Sequence, residues 1–419
     1  MSEKNSALFT NDAIVLGILM IILAFVFATS GSDSPFWKKF YTYFPPLLAC
    51  YFIPAIFNSL GIISGEDSQL YFVASRYLLP ASLVLLCLSI DLKGIINLGP
   101  KSIIMFLAAT TGIVAGGPVA VALVAYVAPG LLDTGSEEAW RGLATVAGSW
   151  IGGGANQTAM KEIYGASDNL FATMIVVDVV VANIWMGFLL YGATITTRVD
   201  KWLKADASAI EDLKARVASY RASISRQPAL SDTIIILAIG FGGTAFAHWF
   251  AGVVTPFMES YSQALNEWNL SSLKSSFFWL IVAATTIGLF MSFSRYKKLE
   301  GVGASRLGSV FIYVLVATIG MKMDIVAIFD NLGLFAVGII WMLVHVSVLM
   351  ITAKLIRAPF FFVAVGSQAN VGGAASAPVV ASAFDSSLAP VGVLMAVLGY
   401  ALGTYAAIVC AQLMQAVSP

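Results

Sequence analysis

Twelve apolar segments separated by polar loops dominate this sequence. They fall near residues 13–30, 40–61, 70–90, 102–128, 139–163, 167–195, 230–255, 275–294, 304–321, 331–353, 359–382 and 387–415. Several exceed the roughly 18 apolar residues that mark a bilayer-spanning helix. Charged residues make up only 11% of the 419 and hydrophobic ones 59%. A soluble domain of this size carries about 25% charged residues. The expected class is therefore an all-α polytopic membrane protein. Formal net charge is zero, which gives no case for nucleic acid as a partner. Cys50, Cys87 and Cys410 all sit inside apolar runs. Their spacing fits neither a disulfide framework nor a zinc site, so buried free thiols are expected. The first run, Ile14 to Thr29, follows Glu3 and Asp12 beside a single Lys4. That is a poor basic leader for a signal peptide, and the run reads as the first span.

The two halves of the chain resemble each other. Ala74-Ser75-Arg76 opens the third segment and Ala304-Ser305-Arg306 the ninth. Asn97-Leu98-Gly99 leads into the fourth, and Asn331-Leu332-Gly333 into the tenth. Gly148-Ser149 precedes a glycine-rich break in the fifth, and Gly366-Ser367 does so in the eleventh. The matches keep their order, at offsets of 230, 234 and 218. Internal repeats are the usual construction of secondary transporters. Residues 1–195 read as the first repeat and 230–419 as the second. Between them, 196–229 reads as a cytoplasmic amphipathic linker, basic through Arg198, Lys201, Lys204, Lys214, Arg216, Arg221 and Arg226.

The fifth and eleventh segments are unlike the rest. One contains Gly152-Gly153-Gly154-Ala155-Asn156-Gln157-Thr158, the other Gln368-Ala369-Asn370-Val371-Gly372-Gly373-Ala374-Ala375-Ser376. Such runs make a poor continuous helix. Irregular backbone at membrane depth survives only where protein shields it or a wet cavity adjoins it. Each segment is thus a broken crossing helix or a re-entrant hairpin with its break at the tip. Loop charge separates the two. With both as hairpins and the N-terminus outside, Lys38, Lys39, Lys93, Lys101, the linker, Arg295, Lys297, Lys298, Lys354 and Arg357 lie inside. Glu66, Asp67, Asp133, Glu137, Glu138, Glu259 and Glu267 then lie outside, in accord with the positive-inside rule. Lys161 and Lys322 are exceptions, each near an acid. The hairpin count leaves about ten transmembrane helices. It also puts five crossings between matching helices, and an odd number inverts the repeats.

Asp178 is the most informative single residue. It lies about eleven residues, or roughly 16 Å, into its helix, near the bilayer centre. Acids at that depth usually face a cavity and bind ions or protons; the bland alternative is a structural acid hydrogen-bonded to a neighbouring helix. Asn183 follows on the same helix. The matching region of the second half has Gly399, Tyr400 and Thr404, and no acid. At the tips stand Ser149, Asn156, Gln157 and Thr158, and Ser367, Gln368, Asn370 and Ser376. Amides, hydroxyls and freed carbonyls suit a hard cation such as sodium. The helix N-termini after each break suit a carboxylate. The expected cation ligands are Asp178, Asn183, Ser149, Asn156 and Asn370. The expected substrate contacts are Gly153, Gly154, Gln157, Thr158, Ser367, Gln368, Gly372, Gly373, Ser376 and Thr404. Arg76 and Arg306, near the starts of their helices, read as snorkelling to the interface. His248 and His345 lack metal-ligand spacing and read as structural.

Gly152-Gly153-Gly154-Ala155-Asn156, paired with Gly372-Gly373-Ala374-Ala375, resembles the Gly-Gly-x-Gly hairpin vertices of sodium–glutamate and 2-hydroxycarboxylate symporters, with Ala in place of the last glycine. Over its whole length the chain resembles the YjcL-like family of bacterial membrane proteins, most clearly at Gly148-Ser149-Trp150-Ile151-Gly152-Gly153-Gly154-Ala155-Asn156. These resemblances imply an inverted-repeat, symporter-like fold with a scaffold and a moving transport domain. The expectation is a cation-coupled importer of a small polar or anionic metabolite in a bacterial inner membrane, with sodium preferred over protons as coupling ion. No prosthetic group is called for. Substrate and membrane lipid are the expected partners, and a homodimer is allowed. An ion channel needs a continuous polar path, and a membrane enzyme needs a nucleophile with its base or a metal set; the sequence shows neither.

Overall fold

The computed structural model describes residues 7–44, 46–90, 95–96, 98–134, 137–205, 210, 229–267, 271–322, 333–385 and 388–418. Lys93, Asn97, Asn331, Leu332 and linker residues 206–209 and 211–228 lie outside the described residues. In chain order the helices are α1 (Asp12–Ser30), α2 (Pro35–Tyr43), α3 (Pro46–Ser59), α4 (Leu70–Leu88), α5 (Pro100–Val127), α6 (Ala139–Tyr164), α7 (Asp168–Thr194) and α8 (Thr196–Leu203). The second half has α9 (Leu230–Glu259), α10 (Ser262–Glu267), α11 (Ser276–Ser292), α12 (Ala304–Gly320), α13 (Gly333–Leu355), α14 (Phe360–Val371), α15 (Gly373–Phe384) and α16 (Ala389–Val417). A two-residue antiparallel ladder, Asp133–Thr134 with Glu137–Glu138, precedes α6. The protein is an all-α, multi-pass membrane protein.

Local sequence explains where helices begin and bend. Asn11, Ser167 and Ser275 cap α1, α7 and α11 with side-chain oxygens, each satisfying an otherwise orphaned N–H. Residues Ala74–Leu78 of α4 form a π-helical turn. Pro80 follows it and has no N–H to give to the Arg76 carbonyl four residues back. His248 of α9 supplies the missing donor, its Nε2 lying 2.8 Å from that carbonyl. The Ala-Ser-Arg match between halves therefore falls just past the first turn of α4 but at the start of α12.

Among the described residues seven helices, α1, α4, α5, α7, α9, α13 and α16, are long and apolar enough to cross a bilayer. The other three expected spans correspond to α3, α11 and α12, of 14, 17 and 17 residues. At 1.5 Å per residue these are about 21 to 26 Å long, shorter than a hydrocarbon core of roughly 30 Å.

The fifth segment turns back on itself. Arg141 Nη1 donates to the Tyr164 carbonyl at 2.6 Å, and the Trp140 and Tyr164 rings lie 5.4 Å apart. A straight helix would separate residues 141 and 164 by about 35 Å. The eleventh segment does the same. The ring of Phe384, at the end of α15, lies 5.4 Å from Phe361 and 6.1 Å from Phe360, at the start of α14. Both segments are therefore hairpins: α6 is hairpin 1, and α14 with α15 is hairpin 2.

Helix α7 shows that the hairpins open at opposite faces. Lys161 at the open end of hairpin 1 pairs with Asp168, the first residue of α7. Phe360 at the open end of hairpin 2 sits against Gly192 near the end of α7, where any Cβ would strike its ring. Those two points are about 36 Å apart along the helix.

The helices sort into two bodies. Helices α1, α3, α4, α9, α11 and α12 pack mainly on one another; α5, α7, α13, α16 and the two hairpins form the second body. Each half of the chain gives its first three spans to the first body. It gives its last two spans and its hairpin to the second.

Candidate functional site

Hairpin 1 reverses at Gly153, whose φ of 74° and ψ of −175° lie in a region essentially reserved for glycine. Its arms close tightly behind the tip: a Cβ on Gly148 would stand 2.5 Å from the Asn156 carbonyl oxygen. Gly153 and Gly154 are half-buried, while Ala155, Asn156, Gln157 and Thr158 are buried.

The two arms of hairpin 1 present donors to Asp178, which is buried at mid-length of α7. Trp150 Nε1 donates to Oδ1 at 2.6 Å and Gln157 Nε2 to Oδ2 at 3.0 Å. Ser149 is a third side chain acting on the carboxylate. Neutral donors on both oxygens supply part of the stabilisation that water or a counter-ion would give, and hydrogen bonds to an ionised acceptor are the strong ones. The acid thus has hydrogen-bond partners from a neighbouring element, and they tie hairpin 1 to α7.

Helix α16 runs past both tips. A Cβ on Gly399 would stand 2.6 Å from the Ile151 carbonyl and 3.6 Å from that of Ala369, so this glycine lies between the hairpins. One turn on, Gly403 lies against Gly152, where a Cβ on Gly152 would be 2.7 Å from the Gly403 Cα. Gly399-x-x-x-Gly403 is a small-residue pair of the kind that lets helices approach at backbone distance in a membrane. Asn156 then bridges to α16: its Nδ2 donates to the Tyr400 carbonyl at 3.1 Å, and Thr404 donates to its Oδ1. Thr404 in turn meets Thr285 of α11 at 3.1 Å, a link to the first body.

Hairpin 2 reverses at Gly372 and Gly373, the latter with φ of 58°. Gln368 Nε2 donates across the turn to Ser376 Oγ at 2.7 Å, and Gln368 Oε1 is buried with no hydrogen-bond partner among the described residues. Asn370 is fully engaged with α5 and its own arm. It accepts from Thr110 at 2.8 Å and donates to the Phe106 and Gly366 carbonyls. Ser367 belongs to a chain of hydrogen bonds. Trp185 Nε1 donates to its hydroxyl at 2.8 Å, and that hydroxyl meets His345 Nε2 at 2.8 Å. His345 Nδ1 faces the Ala109 carbonyl at 3.0 Å, so Nδ1 carries the proton and Nε2 accepts from Ser367. His345 is thus accounted for as a neutral structural residue.

The expected cation ligands do not form one cluster. Ser149 and Asp178 lie together, Asn156 faces α16, and Asn370 faces α5. Asn183 bonds back to the Val179 carbonyl of its own helix. Among the expected substrate contacts, Gly153 and Gly154 line the first tip and Gly372, Gly373, Gln368 and Ser376 the second. Gln157 is turned to Asp178, Thr158 to the Gly154 carbonyl, and Ser367 to the His345 chain. Trp150, Trp185 and Gly403 are central to this arrangement and were not singled out from the sequence. The small-residue spacing from Gly399 to Gly403 was the available signal.

Two hairpins opening at opposite faces, with tips brought to one membrane helix, describe an architecture without naming its relatives. The chain is 24% identical over 355 residues to the "Uncharacterized membrane protein YjcL" of Bacillus subtilis (strain 168), which covers 84% of this chain and 85% of that protein. Residues 17–417, all the elements above from within α1 to the end of α16, match the family described as "Protein of unknown function (DUF819)", and the chain belongs to that family.

Proposed function

We propose that this protein is a secondary active transporter that couples the import of a small polar or anionic metabolite to a cation gradient. One observation carries the reading: two re-entrant hairpins from opposite faces meet one stretch of α16, hairpin 1 through Ile151 and Gly152 and hairpin 2 through the Ala369 carbonyl, and hairpin 1 also holds the buried acid Asp178. In a bilayer, broken backbone at that depth leaves N–H and C=O groups that a polar solute and an ion can satisfy. The two-body sorting adds a means of alternating access. The second body holds both tips and Asp178, and the first body forms the scaffold against which it moves. Sodium is the favoured cation, because the tips offer neutral oxygens. The unpartnered Gln368 Oε1 is one such oxygen. In this reading the repeats are inverted and the linker that starts with α8 is cytoplasmic.

A thermal-unfolding screen of purified protein against amino acids, carboxylates and short peptides, in sodium chloride and in choline chloride, tests the reading. A ligand at one hundred times its Kd stabilises the folded state by about 2.7 kcal/mol. The expected result is at least one solute class whose shift requires sodium. Equal shifts in both salts for every solute that binds would count against cation coupling.

A further inference from the structure

A part-buried charge cluster stands at the open end of hairpin 1, away from the tips. Arg76 Nη1 lies 2.9 Å from Glu162 Oε2, and the Tyr71 hydroxyl donates to Glu162 Oε1. Lys161 Nζ donates to Tyr71 at 3.0 Å and pairs with Asp168 Oδ1 at 2.8 Å and Glu162 Oε1 at 3.5 Å. Lys322 Nζ stands 3.9 Å from Asp168 Oδ2 and 4.6 Å from the centre of the Tyr71 ring. The Arg76 guanidinium covers the Phe277 ring at 4.3 Å. The side chains of Lys161 and Glu162 are only 7% and 12% exposed. Arg76 therefore does not merely snorkel, whereas Arg306, its sequence counterpart, is exposed.

The cluster divides along the boundary between the two bodies. Tyr71 and Arg76 of α4, and Lys322 just past α12, belong to the first body. Lys161 and Glu162 of hairpin 1, and Asp168 of α7, belong to the second. Arg76–Glu162 and Lys322–Asp168 are the ion pairs that join the bodies among the described residues. The Tyr71 hydroxyl adds two further bonds across the same boundary. Ion pairs taken partly out of water contribute little net stability against an apolar alternative, yet stranding their more buried members, such as Glu162, is costly. Such a contact favours one docked geometry sharply, and it can be released when water reaches both sets of charges together. That property suits a moving joint better than a permanent seam.

We propose that this cluster is a latch. It holds hairpin 1 and the start of α7 against the scaffold at one face of the membrane, and it parts when the second body moves. The latch rests on the transport reading for its purpose but not for its existence.

Its test needs no substrate. Cysteines replace Gln69 and Asn169, exposed positions beside the cluster, one on each body. The native cysteines are fully buried and resist labelling. Spin labels on the full chain in lipid nanodiscs then report the distance across the latch by pulsed electron resonance. The expected result is one distance for the parent protein and for Arg76→Lys, and an added longer population for Arg76→Gln. Should Arg76→Gln fail to fold, Tyr71→Phe with Lys322→Gln removes latch contacts without leaving Glu162 beside an uncharged Arg76 position, and the same added population is expected. An unchanged distribution in a folded latch variant overturns the proposal. A longer population in a protein that transports nothing would leave the latch standing and remove the transport reading.

Discussion

At residue scale, the account turns on Asp178 and Gly153. Asp178 accepts from Trp150 and Gln157, and Asn at this position keeps the oxygen that faces Trp150. The Gln157 amide can rotate to accept from the new Nδ2, so Asp178→Asn should change stability by no more than about 1 kcal/mol. If the negative charge couples the cation, the same variant should lose at least tenfold in gradient-driven accumulation. Thermal unfolding and uptake, measured on one preparation, check both halves. Asp178→Leu is different: it strands two buried donors, at about 1–3 kcal/mol each. Gly153 is constrained by its backbone and not by crowding, since the nearest atom to a Cβ there is Tyr400 Cε1 at 3.7 Å. Gly153→Ala should therefore cost about 1–3 kcal/mol through strain alone. Gly373 has no atom within 4 Å of a Cβ and a φ of 58°, which Asn tolerates. Gly373→Asn should be mild and Gly373→Val should not. Equal loss of melting temperature for Asn and Val at 373 would contradict the conformational argument.

Among elements, hairpin 2 depends on a cap supplied from far away in sequence. Asp200 in α8 accepts the Phe360 backbone N–H at 2.7 Å, at the start of α14. Partial burial raises its pKa above the ordinary carboxylate value, and the Phe360 bond offsets this only in part. At pH values between its unfolded and folded pKa the folded protein therefore holds a proton that the unfolded chain has lost. The contribution to stability is full below the unfolded pKa and declines as pH rises through the folded one. Asp200→Asn keeps an acceptor and should abolish that decline. Asp200→Ala should lose the cap, at about 1 kcal/mol. Melting temperature followed against pH for the three proteins checks this; an Asn variant with the parent's slope would contradict it. The elements themselves were largely legible in the sequence. Apolar length marked the spans, and clustered glycines marked both hairpins, because few other residues permit such reversals. The partners of Asp178 were not legible, since Trp150 and Gln157 lie 28 and 21 residues away and meet it only once hairpin 1 closes. Arg76 looked like an interface residue for the same reason: Glu162 is 86 positions distant. Gly153, Gly154, Gly372 and Gly373 stand at the hairpin turns, but hydrogen bonds to α5, α7 and α16 divide Asn370, Gln157 and Asn156 among different neighbours, and no linear pattern encodes that division.

At the scale of the whole molecule, chain order maps onto two bodies. The first three spans of each half build one, and the later spans and hairpins the other. The hairpins enter from opposite ends of α7, Lys161 pairing with Asp168 at one end and Phe360 meeting Gly192 near the other, an arrangement that the proposed alternating access would use. The most direct measurement is uptake by purified protein in proteoliposomes, using labelled amino acids and carboxylates under an inward sodium gradient. The account predicts that at least one solute accumulates above its outside concentration. Accumulation should collapse when the gradient is dissipated, and should fail with Asp178→Asn. Solute entry that only equilibrates, at a rate indifferent to sodium and proton gradients alike, would contradict it.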